Sequence, residues 1–170
     1  MKVPNKIANL EKVKLLCNVP RFIFFNFRDF KNNKNLVIKK IQKQLKNKII
    51  IRSAAFDEDT KYSNAGKYLS ISNIKVKNTH EIENAIEKVF KSYGKHNQNQ
   101  FILVQEYIQN AESVGVIFTA DPKNGSPFRT INFNNSNSTD LITSGKSNGQ
   151  IIYYFKNILE SKINVDKKIR

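Results

Sequence analysis

Three consecutive isoleucines, Ile49-Ile50-Ile51, run without a break into Arg52 and Ser53. A run this short, β-branched and apolar suits a buried strand better than a helix. The chain must therefore build a sheet in which a buried strand carries a cation and a hydroxyl to its C-terminal edge. Phe22 to Phe27 is a second apolar run, aromatic and preceded by Pro20, which ends the segment before it. Phe101 to Tyr107 and Val114 to Thr119 are two more strand candidates. On periodicity alone these last two form a hairpin with a slightly long loop.

Helical spacing appears between the strands. Ile7, Leu10, Val13 and Leu16 recur every three residues, which predicts a short amphipathic helix over 6–16. Leu36, Val37, Ile41 and Leu45 predict a second, with Lys39, Lys40, Lys43 and Lys46 as its solvated face. Thr79, followed by Glu83 and by Ile82, Ala85, Ile86, Val89 and Phe90, predicts a third that stops at Gly94. Residues 67–74 alternate as a half-exposed strand, and short strands are expected at 128–133, 140–143 and 150–155. Asp121 to Gly125 has turn composition, and Asn132 to Thr139 reads as a loop. The sum is an α+β chain, with early helices packed on a mixed sheet and a late antiparallel strand region. It is expected to be a single domain over 1–170, with an N-terminal part at 1–95 and a strand region at 96–170.

Composition excludes more than it selects. The 170 residues carry 29 Lys plus Arg against 14 Asp plus Glu, a net charge of +15. Residues 1–50 hold 13 of those cations and two anions, while residues 51–120 balance. Only five cations are Arg, the residue that reads phosphates and guanines bidentately, so a nucleic-acid partner is disfavoured. Over-use of Lys, Asn and Ile is what AT-rich codons produce without selection on charge. A hydrophobic fraction of 39% with 12 Phe is enough for a core. No run approaches the roughly 18 apolar residues of a membrane span. The N-terminus lacks the apolar stretch of a secretory signal. Cys17 alone makes neither a disulfide nor a zinc cluster. A soluble cytoplasmic protein with no membrane partner is the expectation.

Two junctions can carry chemistry. In IIIRSAAFDED, Arg52 can present a guanidinium fork to a phosphate while small residues let the backbone approach. Asp57, Glu58 and Asp59 follow as magnesium or capping candidates. The plainer account pairs Arg52 with one of those acids. In FILVQEYIQNAESVGVIFTAD, the break after Gln105-Glu106-Tyr107-Ile108 offers backbone groups to a base edge between apolar neighbours. Lys6, one of 24 lysines, is uninformative by itself.

In this order the segments KIANL, VP, IIIRSAAFDED, SNAG and ILVQEYI…SVGVIFTADPKNG form a recognisable series. They resemble the N-terminal nucleotide-binding region of the phosphoenolpyruvate synthase and pyruvate phosphate dikinase family. That family shows a GGKGANL-type start, VP-x-GF, VRSSA…ED…SFAGQ, and VVVQ-x-MV followed by SGV-x-FT-x-DP-x-TG. The resemblance runs over residues 5–145. It implies an ATP-grasp-like fold, here a partial one, binding ATP and Mg2+. It further implies that Lys6 and Arg52 act on the nucleotide phosphates, with Ser53 beside Arg52. Residues 54–66, including Asp59, would cover the triphosphate. Gln105, Glu106 and Ile108 would line the adenine pocket, with Glu106 near the exocyclic amine. Asp140, in TDLITSG, falls where the family carries a metal-binding glutamate.

Some positions depart from the family pattern. Pro4 and Asn5 replace the two glycines before the lysine, and no QDIEW-like segment precedes Arg170. The expectation is thus the ATP-binding segment of a dikinase-like phosphotransferase, inactive alone. It would work with a phosphohistidine domain and a pyruvate-binding domain, or with a partner chain. The alternative is a non-catalytic basic binding module for nucleic acid or a protein partner, using the basic segment 1–50, or a degenerate relative that serves as a partner surface.

Overall fold

The isoleucine run becomes β2 (Lys48–Ala54), an interior strand, in a computed structural model that describes residues 2–57, 67–94, 99–121, 123–135 and 150–155. The chain divides into two compact units, Met1–Ile108 and Gln109–Arg170. The architecture is mixed α and β with two antiparallel sheets.

In the first unit, α1 (Asn5–Val13), β1 (Phe22–Asn26), α2 (Phe27–Asn32) and α3 (Lys34–Gln44) precede β2. After it come β3 (Ser70–Lys75), α4 (Thr79–Ser92) and β4 (Phe101–Glu106). The strand order is β1-β4-β2-β3, so β4, last in sequence, lies between β1 and β2. All three pairings are antiparallel, where a mixed sheet was expected. The expected 101–119 hairpin does not form: β4 pairs with β1 and β2 instead. The reason is burial. Every residue from Phe101 to Gln105 is buried, which requires a neighbour on each edge and a layer on each face.

The two faces are covered differently. On one, Ile49 and Ile51 of β2, Ile102 and Val104 of β4, and Ile23 and Phe25 of β1 pack against Val37, Ile38 and Ile41 of α3 and Ile82, Ile86, Val89 and Phe90 of α4. On the other, Ala54, Phe101 and Leu103 pack against Ile7 of α1, with Leu10, Phe22 and Phe24 at the margin. The α4 helix starts one residue earlier than its Thr79 signal implies in capping terms. Asn78 is the N-cap and accepts from the Glu81 N–H at 3.2 Å, a role Asn fills as well as any residue. Gly94, at φ +64°, lies just beyond the helix end.

Helix α1 is shorter than its periodicity. It ends at Val13, and Leu16, three residues beyond the helix end, is 86% exposed. Phe27 leaves the strand and opens α2, whose N-cap Asn26 accepts from the Asp29 N–H at 2.8 Å. Leu36 also turns outward rather than joining the apolar stripe.

The second unit contains β5 (Val114–Phe118), β6 (Phe128–Asn134) and β7 (Gln150–Phe155), an antiparallel meander. Asp121 makes the expected turn between β5 and β6, its Oδ1 accepting from the Lys123 N–H at 2.7 Å. Gly115 is required by close approach: a Cβ there would lie 2.8 Å from the Asn132 carbonyl oxygen and 2.9 Å from Phe133 Cβ. The strand expected at 140–143 lies outside the described residues.

Candidate functional site

Strand alternation sorts the candidate residues by face. Ile49 and Ile51 point into the α3/α4 core, so Ile50, Arg52 and Ala54 share the face that carries α1. Ile50 pairs with Gln105 and Arg52 with Leu103. Arg52 and Gln105 are therefore diagonal neighbours on adjacent strands, roughly 7–8 Å apart. Lys6 approaches the same strand from α1, its Nζ donating to the Ser53 carbonyl oxygen at 2.9 Å. Ser53 itself is buried. Three candidates from distant parts of the sequence thus meet at one sheet face: Lys6, the Arg52-Ser53 strand end, and Gln105.

Gln105 is buried, with its Nε2 directed to the Pro20 carbonyl oxygen at 3.4 Å. Glu106 follows in the strand and so faces the other way. Its carboxylate accepts from Arg21 through Nε at 3.1 Å and Nη2 at 2.6 Å, and from the Lys46 N–H at 2.9 Å. A forked guanidinium–carboxylate contact of this kind fixes both groups, so the Glu106 side chain braces the β1–β4 edge against the end of α3. Ile108 is exposed. Asp59 and Asp140 lie outside the described residues.

Arg52 makes no ion pair among the described residues, so the simple salt bridge to Asp57 is not formed. Asp57 is occupied elsewhere. Its Oδ2 accepts from Lys67 Nζ at 2.8 Å and from the Tyr68 hydroxyl at 2.7 Å. The Lys67 hydrogen bond holds the Asp57 carboxyl below its ordinary value of 3.8, with burial opposing and Tyr68 assisting. The same contact raises Lys67, and burial raises Tyr68.

A carboxylate with a depressed native pKa binds fewer protons folded than unfolded, so its contribution to stability is present above its ordinary value. It is lost as pH falls through the lower native value. The thermal midpoint of Asp57→Asn is therefore expected below that of the native protein at pH 7. The two midpoints should converge as the pH is lowered past 3.8. Parallel calorimetric scans at several pH values check this, and a gap that is constant with pH contradicts it.

Among the described residues no group of three or more His, Cys, Asp or Glu is placed to hold a metal ion. Asp57, the one described carboxylate near Arg52 in sequence, is committed to Lys67 and Tyr68. His80 is exposed in the first turn of α4, sharing a hydrogen bond with Asn84. His96 lies outside the described residues. No helix among the described residues is long and apolar enough to cross a membrane.

Two contacts had no signal in the sequence. Arg21 and Glu106 are 85 positions apart and meet only because β1 and β4 are adjacent. Tyr93, just past α4, is the other. Its hydroxyl accepts from the Ala54 N–H at 2.8 Å and donates to the Phe101 carbonyl oxygen at 2.5 Å. It thereby ties β2 to β4 at the strand end that carries Arg52 and Ser53. No family model matches the chain, and no curated protein matches it.

Proposed function

We propose that this chain is a nucleotide-binding segment of ATP-grasp type, a relative of the phosphoenolpyruvate synthase and pyruvate phosphate dikinase family. It binds ATP through the phosphates, in the cytoplasm. One observation carries the reading: the Lys6 ammonium sits 2.9 Å from the Ser53 carbonyl oxygen, beside Arg52 and on the face shared with Gln105. Two cations on one sheet face are what a polyphosphate requires, and Ser53, whose side chain alternates to the α3/α4 face, contributes only its main chain. A diagonal step of roughly 7–8 Å along the sheet separates Arg52 from Gln105, within the span of one nucleotide from base to phosphates.

In phosphoryl transfer, the protein's part is to position the phosphates and neutralise their charge. Lys6 and Arg52 would do both here, and Gln105 and Ile108 would border the base. Magnesium, when bound, would add charge neutralisation at the phosphates. Its candidate ligands Asp59 and Asp140 lie outside the described residues. The phosphocarrier histidine and the pyruvate-binding region of the family would belong to other domains.

The test is a titration with a fluorescent ATP analogue in the presence of magnesium. Arg52→Ala should weaken binding about 10- to 100-fold, the worth of a charge-assisted hydrogen bond. Lys88→Ala, on the exposed side of α4, serves as a control for net charge and should leave affinity unchanged. Absence of saturable binding, or equal loss in both variants, sinks the proposal.

A further inference from the structure

The described cations are not spread evenly over the first unit. Lys48 and Lys75 stand directly opposite each other in the β2–β3 pairing, and like charges in that position destabilise a sheet. Lys46 and Lys77 border a shallow cleft of about 490 Å³ at the same end of the sheet, with Gln42, Leu45, Asn47 and Val76. On the adjoining helix α3, Lys39 and Lys43 are four residues apart, a second unfavourable like-charge spacing.

The α3 sequence, KNLVIKKIQKQ, contains no acid. Among the described residues none of these six lysines forms an ion pair. Two carboxylates lie close. Glu106 is held by Arg21 and the Lys46 N–H, and Glu81 approaches the Lys75 N–H at 3.4 Å. They leave the cluster with a large positive excess.

We infer that this end of the first unit is a docking surface for the phosphate backbone of a nucleic acid strand, read without regard to base sequence. The charge arrangement selects a polyanion, because only repeated negative charge relieves several neighbouring repulsions together. The cleft is bordered by no aromatic side chain on which a base could stack, so contact falls to the phosphates. Scarcity of arginine counts against base reading and bidentate phosphate contacts, and the contacts here are those of lysine, which meets phosphate as a point charge. Lys48 begins β2, whereas Arg52 lies near its other end, so the cluster stands away from the phosphate end of the proposed nucleotide site.

The probe is a fluorescent 20-nucleotide poly(U) strand, followed by anisotropy with the full chain. Four phosphate contacts on a single strand predict about a 50-fold loss of affinity between 50 and 200 mM salt. Replacing Lys46, Lys48, Lys75 and Lys77 together by Gln should flatten that salt dependence. It should also raise the thermal midpoint of the free protein at low salt, because the repulsion is removed. Replacing Lys2, Lys31, Lys88 and Lys123 by Gln removes the same charge elsewhere and should change neither readout. Equal losses in the two quadruple variants would reduce the effect to net charge and overturn the inference. So would an absence of binding at 50 mM salt, or binding to phosphatidylserine vesicles in preference to the strand.

Discussion

Phe90→Ala is expected to destabilise the first unit by about 3–5 kcal/mol, the range for truncating a buried phenylalanine. Phe90 is 2% exposed and sits at the centre of an aromatic cluster. Phe27 meets it edge-on at 4.9 Å between ring centroids, with Phe30 at 6.0 Å, Tyr93 at 6.2 Å and Phe25 at 6.4 Å. These rings come from β1, α2, α4 and the segment after α4, so the cavity would open where sheet and helices meet. Collapse into it is restricted, because the neighbours are fixed by three different elements. Urea unfolding followed by circular dichroism at 222 nm measures the loss, since the chain has no Trp to report by fluorescence. A loss below about 1.5 kcal/mol would show that the cluster repacks freely.

How much of this was legible in the sequence varies by element. The isoleucine run, the α4 stripe and the aromatic run each declared their type, because burial on a defined face leaves a period in the residues. What the period cannot encode is partnership. Phe101 to Gln105 reads as a strand in either arrangement, and only competition for its two edges decides that it pairs with β1 and β2 instead of β5. Helix ends were blurred for a related reason. Leu16 continues the α1 spacing, yet the helix ends at Val13 and Leu16 is left in solvent. Arg52 and the break after Gln105 to Ile108 stood out as strand-end junctions, whereas Lys6 and Asp140 came from a family resemblance alone. Lys6 has no local distinction among 24 lysines, and its position beside Ser53 is set by how α1 lies on the sheet. Tyr93 is the extreme case. A tyrosine one residue past a helix carries no pattern, although it makes two hydrogen bonds to the strands beneath.

Tyr93→Phe isolates that hydroxyl. The ring is kept, with its edge-on contact to Tyr68 at 4.9 Å between centroids, so packing is nearly conserved. What is lost is the bridge from the Ala54 N–H, through the hydroxyl, to the Phe101 carbonyl oxygen. Ala54 and Phe101 are partners at the last position of the β2–β4 ladder, and both residues are buried. Removing one hydroxyl therefore strands a donor and an acceptor together, at about 1–3 kcal/mol each. A loss of roughly 2–6 kcal/mol is expected, which moves the urea midpoint by about 1 M or more for a domain of this size. Hydrogen exchange gives a local readout that packing defects would not mimic: the Ala54 amide should lose protection out of proportion to the global change. The nucleotide proposal adds a second consequence. Ala54 follows Ser53 directly, so a loosened strand end should also weaken the ATP analogue in the fluorescence titration. If stability falls by less than about 0.5 kcal/mol, the two strands must close a direct N–H to carbonyl bond once the hydroxyl is gone. Tyr93 would then be a spacer between them and not a tether.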